Sequence, residues 1–200
     1  MRKLPPQNKI IRLLNFTEDQ KNRVRNALSK VPPQFVKKAF SKIVLDGALA
    51  KEPGKHENFG KYNMDTKVLR VNPKVFDQSE KFTDGVNYMS KLAHMLLHEI
   101  GHALDNIYNL SNSEVWHSLS GWSTTPSHSK RYLKIPHEKD RDMLWYYNPK
   151  SKFARWYAKR SPQDDWAESF AFYLGGLLDR VDRSKIKYIK EVLSQINDIS

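Results

Sequence analysis

Leu96, Leu97, Ile100, Ala103 and Leu104 fall at the intervals of one helical face, and they sit in a stretch that reads as a single long helix over residues 86–108. The same period returns in Trp166, Ala167, Phe170, Tyr173, Leu174 and Leu177, and again in Ile186, Ile189, Val192 and Ile196. Two shorter helices are expected earlier. Thr17-x-x-Gln20 forms a capping box that opens one over residues 18–29. Pro32-Pro33 opens the other, with Phe35, Val36, Ala39 and Phe40 facing inward. Strand signals lie at residues 43–45, 59–62 and 67–71, the last two joined by a turn over residues 63–66. Alternation puts Val68 and Arg70 on one face of that last strand and Leu69 and Val71 on the other.

The punctuation fits this pattern. Pro5-Pro6 keeps residues 1–14 extended, Asn72-Pro73 ends the third strand, and Asp84-Gly85 precedes the long helix. Residues 111–148 are polar and aromatic and read as a long irregular link. Residues 151–159 read as a short helix. Ser161 then caps another, with Pro162 at its first position and Asp164 at its third, and Gly175-Gly176 is a candidate interruption. The expected class is α+β: a small sheet packed on the 86–108 helix and a mostly helical C-terminal half. Residues 1–42 form a basic helical segment and residues 43–200 the main domain, within one compact body.

Composition narrows the chemistry. The 200 residues are long enough for a substantial core, and 39% apolar content excludes a disordered chain. With no cysteine, disulfides, thiol nucleophiles and thiolate metal sites are excluded, so any metal must be held by histidine and carboxylate. No apolar run is long enough to span a membrane, and the charged start Met1-Arg-Lys-Leu-Pro-Pro lacks the apolar run of a secretory signal. The expectation is a protein that stays where it is made or leaves by another route. Of the net charge of +12, residues 1–42 carry +9, with eleven Lys/Arg against Glu18 and Asp19. This end is a solubilising surface or a candidate docking surface for an acidic partner or an anionic envelope. No nucleic-acid partner is expected, because no binding motif accompanies the basic residues and aromatics are not interleaved with them.

Within the long helix stands His98-Glu99-x-x-His102. Residues four apart share a helical face, so both imidazoles can be aimed at one zinc ion, with Glu99 one step round the helix as general base toward a metal-bound water. Two histidines and a carboxylate in so apolar a helix are costly unless something pairs them. Gly101 in a helix interior points to a closely packed neighbour. His94 shares the face but stands about 12 Å from His102 along the axis, at 1.5 Å per residue, too far to share the same ion. The remaining histidines of the 111–148 link, His117, His128 and His137, have no ligand-spaced partner. A third ligand must come from another element, and the helix after Ser161 offers Asp164 and Glu168 on one face. The outer edge of the strand pair ahead of the long helix could take up an extended peptide. Lys67, Val68, Leu69, Arg70 and Val71 are the candidate substrate-binding residues, and Lys67 and Arg70 would equally protect an ordinary edge strand.

His98-Glu-Ile-Gly-His102 followed by Tyr157-x6-Asp164-Asp-Trp-Ala-Glu168-Ser-Phe resembles the catalytic domain of anthrax lethal factor and the related bacterial Pro-Pro endopeptidases, over about residues 60–175. The resemblance implies a zincin-like metallopeptidase domain, a protein or peptide substrate, and Zn2+ held by His98, His102 and Asp164. It makes Glu99 the base, Tyr157 a donor to the oxyanion or leaving group, and Glu168 a partner to a ligand histidine or an alternative ligand. The family carries glutamate where this chain has Asp164, one methylene shorter. Two other readings remain. Cytoplasmic peptidases that cut repressors share the Ala167-Glu168-Ser-Phe-Ala-Phe style of segment, but usually with fewer than the 61 residues between His102 and Asp164. A zinc-stabilised, non-catalytic interaction or virion-component domain is the third.

Overall fold

A computed structural model of the protein describes residues 11–51, 59–77, 81–125, 133–136 and 144–198. It is mixed α and β with small sheets. Four short strands make the main sheet: β1 (Arg12–Leu14), β2 (Lys42–Leu45), β3 (Gly60–Asn63) and β4 (Val68–Val71). Their order is β1-β2-β4-β3; the first two pairings are parallel and the last antiparallel. Part of the expected extended lead-in is therefore a strand. A parallel pairing needs a long crossover, and α1 (Glu18–Leu28) with α2 (Pro33–Ala39) supplies it between β1 and β2. The capping box is formed: Gln20 N–H donates to the Thr17 hydroxyl, and Thr17 N–H donates back to the Gln20 side chain. Phe35, Val36, Ala39 and Phe40 are buried, as their spacing predicts.

The β3–β4 hairpin pairs Tyr62 with Leu69, and burial alternates as expected, with Leu69 and Val71 inward. Its use as a peptide-binding edge needs correction. β4 lies between β2 and β3, so both of its edges are consumed by ladder hydrogen bonds. Arg70 is paired with Asp46 of the segment after β2, and Lys67 is outside the strand, in the turn at φ +53°. Residues 67–71 cannot add a further strand. Among the described residues the unpaired neighbouring edge belongs to β3.

The long helix begins later than residue 86. Asp84 and Gly85 turn a hairpin between β5 (Lys81–Thr83) and β6 (Tyr88–Ser90). The Asp84 carboxylate accepts from Val86 and Asn87 N–H, and Gly85 adopts φ +97°, a backbone conformation that glycine tolerates. Ser90 caps α3 (Lys91–Tyr108), its hydroxyl accepting from Ala93 N–H. The cap signal lay in Ser90, hidden behind the stronger turn signal of Asp84-Gly85.

The described part of residues 111–148 holds regular structure where an irregular link is expected. It contains α4 (Glu114–Ser120) and a three-stranded sheet of β7 (Trp122–Ser123), β9 (Leu144–Tyr147) and β8 (Leu133–Pro136), in that order. Trp122, Trp145, Tyr147 and Phe153 form a small apolar cluster of their own. Of the expected 151–159 helix only a 3-10 turn at Trp156–Lys159 is present. Then α5 (Pro162–Gly175) starts on the Ser161 cap and ends at Gly176, and α6 (Arg183–Asp198) closes the chain. One core cluster runs from Phe16 through α3 and α5 to Ile196, so residues 16–42 pack in the same core as the rest. Among the described residues no helix is long and apolar enough to cross a membrane.

Candidate metal centre

The site is built where α3 and α5 touch. Gly101 makes the contact possible: a Cβ there would stand 2.9 Å from the Ala167 Cα, too close for any side chain without backbone movement. Trp166, fully buried, donates its indole N–H to the Gly101 carbonyl at 3.0 Å and fixes the two helices in register. The helices then present facing ladders with a one-turn step. His94, His98 and His102 lie along α3, and Asp164 and Glu168 lie along α5 in the opposite sense.

At one rung, His102 Nε2 and His98 Nε2 stand 3.0 Å apart, and Asp164 Oδ1 is 3.5 Å from His102 Nε2. The ligand atoms of these three side chains all lie within 4.8 Å of one another. Two ring nitrogens ligating one tetrahedral ion at about 2.0–2.1 Å would be about 3.3 Å apart, close to this spacing. At the next rung, Glu168 Oε1 is 3.1 Å from His98 Nδ1, off the line of an ideal hydrogen bond, and Oε2 is 3.0 Å from His94 Nε2. Arg155 Nε also lies 3.0 Å from that Oε2.

This arrangement separates the two candidate third ligands. Glu168 meets His98 at Nδ1, whereas the gap between the two histidines is bounded by Nε2 of each ring. A group on the Nδ1 side of His98 is remote from a cation shared at Nε2, so Asp164 is the carboxylate placed for that gap. With the His98 proton on Nδ1, facing Glu168, its Nε2 is a bare lone pair turned toward His102. Two nitrogens and one carboxylate oxygen form a donor set that suits zinc.

Charge follows position. Burial alone would raise the Asp164 carboxyl, but the imidazoles of His102 and His98 and the Arg160 guanidinium hold it below the usual range, ionised. Burial works against the Glu168 charge too, and the His94 and His98 donors outweigh it, leaving this carboxyl far below its ordinary value. His94 is pushed down by burial despite Glu168, so it is a neutral ring. For His98, burial is outweighed by Glu168, Glu99 and Asp164, and its affinity for a proton rises.

Beside His102 and Asp164 lies a cavity of about 450 Å³, walled by these two and by Tyr62, Glu99, Arg160 and Gln163 among others. Glu99 is half-buried on its wall, as its place one step from His98 predicts. Tyr157 lies against His98, ring centroids 5.8 Å apart, with the guanidinium carbons of Arg160 and Arg155 at 4.6 and 5.0 Å from its own ring centroid. Burial, reinforced by Asp164, Glu168 and Glu99, keeps Tyr157 a phenol and therefore a donor. Tyr62 of β3 is likewise pushed up to about 12, by burial and the Glu99 charge, and its hydroxyl donates to the Ala39 carbonyl at 2.6 Å.

His98, Glu99, His102, Tyr157, Asp164 and Glu168 are thus gathered within one neighbourhood, and residues 67–71 are not among the cavity walls. His117 packs on Trp145 and belongs to neither cluster of possible metal ligands, and His128 and His137 lie outside the described residues. Tyr62, His94 and Arg155 were not foreseen. For His94 the signal was present: it and Glu168 extend the two ladders by one further turn. Neither a protein-family model nor a curated protein matches the chain.

Proposed function

We propose that the protein is a zinc-dependent endopeptidase of the zincin type, related to the lethal factor and Pro-Pro endopeptidase family. The observation that carries this reading is the convergence of His98 Nε2, His102 Nε2 and Asp164 beside a cavity whose wall His102 and Asp164 share with Glu99. When bound there, zinc lowers the pKa of a coordinated water to about 7 and polarises the scissile carbonyl. Glu99 takes the proton of the attacking water and passes it to the leaving amine. Tyr157, held as a phenol beside His98, donates its O–H to the developing oxyanion or to the leaving group. Glu168 holds the His98 ring from its Nδ1 side. Asp164 suits the ligand role despite its shorter side chain because Gly101 lets α5 approach α3 closely.

An extended substrate is placed along β3. Among the described residues that strand is the last in its sheet, and its Tyr62 reaches the cavity wall. Main-chain pairing on this edge leads a peptide past Glu99 and the metal ligands.

The test is cleavage of a peptide library by the zinc-loaded protein, with and without chelator, alongside Glu99→Gln. Chelator-sensitive cuts are expected. The Gln variant should keep zinc and lose about 10²–10⁴-fold in turnover, the contribution of a general base. A Gln variant with normal turnover would remove Glu99 from the mechanism. Full zinc occupancy without cuts would favour the interaction-domain reading.

A further inference from the structure

His94 has a fully engaged position that the reaction does not use directly. It is buried on α3 one turn before His98, against Phe82 and Phe172 at ring-centroid distances of 4.4 and 5.3 Å. Its only polar contact among the described residues is Nε2 to Glu168 Oε2 at 3.0 Å. Nothing in an apolar packing site calls for an imidazole there, since leucine or phenylalanine would fill the same space without a polar atom to satisfy.

The geometry supplies a reason. The Glu168 carboxylate is completely buried and hangs from a side chain with three rotatable bonds. Its Oε1 must lie beside His98 Nδ1 for the imidazole to keep its proton there. Of the two other groups at Oε2, Arg155 Nε is off-line and its side chain is 26% exposed. His94 is the rigid one. Its ring is clamped by two aromatic neighbours and by its own helix, the same helix that carries His98. A donor fixed on that helix locks both carboxylate oxygens at once: Oε2 on His94, Oε1 under His98.

We propose that His94 is a positioning residue of the metal centre: by donating its Nε2–H to Glu168 it fixes the carboxylate that holds His98 in the Nδ1–H tautomer, and so presents His98 Nε2 to the cation. The proposal deepens the metal-centre reading and rests on it for zinc binding, but the tautomer of His98 can be read without metal.

Three variants test it. Gln at 94 can place an amide N–H near the imidazole Nε2 position; Asn is too short to reach, and Leu removes the donor altogether. Zinc affinity is measured by competition with a chromogenic chelator, and the His98 tautomer by long-range 15N–1H correlation on metal-free protein at a pH high enough to keep the ring neutral. Wild type should show the Nδ1–H tautomer at His98. H94Q should retain it and bind zinc within a few-fold of wild type. H94N and H94L should give a mixed tautomer and lose about 10–100-fold in zinc affinity, the range for removing a group that orients a ligand. A merely structural histidine would lower thermal stability in the variants while leaving tautomer and affinity unchanged, and that result overturns the proposal. So does the Nε2–H tautomer in wild type. Should H94L fail to fold, the contrast between H94Q and H94N decides. If wild type binds no zinc, the metal reading fails, whereas the tautomer comparison still decides the role of His94.

Discussion

Helix α5 carries two fully buried acids three residues apart, Asp165 and Glu168, and the protein treats them in opposite ways. Asp165 points toward α6. The Lys185 ammonium, itself 1% exposed, reaches its two oxygens at 2.7 and 2.8 Å, and the Trp122 indole N–H adds a third contact at 3.1 Å. Glu168 points toward α3 and meets two imidazoles and a partly exposed arginine. One charge is matched by a single permanent cation and ties α5 to α6 and to the small aromatic sheet. The other is surrounded by rings whose protons it can place. A buried carboxylate satisfied by an ammonium only holds elements together, whereas one satisfied by histidines sets which ring nitrogen is free.

The contrast can be broken by removing one partner at a time. Lys185→Met removes the ammonium from the buried Asp165, whose carboxyl burial already pushes up, so that the acid must either stay ionised without its cation or take up a proton, and it should cost about 3–5 kcal/mol of stability. That corresponds to a fall of about 6–20 °C in the melting temperature of a chain of this size. Zinc affinity should stay within a few-fold of wild type, as measured on the folded fraction at low temperature. Glu168→Gln should do the reverse: about 10–100-fold weaker zinc, equivalent to about 1.4–2.7 kcal/mol, with a smaller thermal shift than Lys185→Met. Equal losses of metal affinity in both variants would erase the distinction. The smallest effect is expected from replacing both members of the pair, Asp165→Leu with Lys185→Met. Replacing a buried ion pair by apolar groups is often close to neutral, so calorimetry should show a melting point near wild type.

Much of this arrangement could be read from residue order because it depends on local periodicity. The four-residue step of His98 and His102, the Ser161-Pro162 cap that starts α5, and Gly101 as a point of close approach each have a short-range cause, and each has its counterpart in the structure. The elements that escaped depend on distant partners. β1 is three residues that become a strand only because β2 is brought alongside by a two-helix crossover. β4 is interior for the same reason, since no pattern within residues 67–71 announces a parallel neighbour on its far side. The described strands of the 111–148 region rest on cross-strand aromatic packing of Trp122 against Trp145 and Tyr147, more than twenty positions later. Distance along one helix excludes His94 from the His102 ion. The carboxylate that gives it a role comes from a helix 74 residues later.

The most direct test is a crystal structure of the zinc-loaded protein with anomalous data at the zinc edge. One peak is expected, about 2.0–2.2 Å from His98 Nε2, His102 Nε2 and an Asp164 oxygen. No peak in that gap, or a peak on the Nδ1 side of His98 among His94 and Glu168, would contradict it.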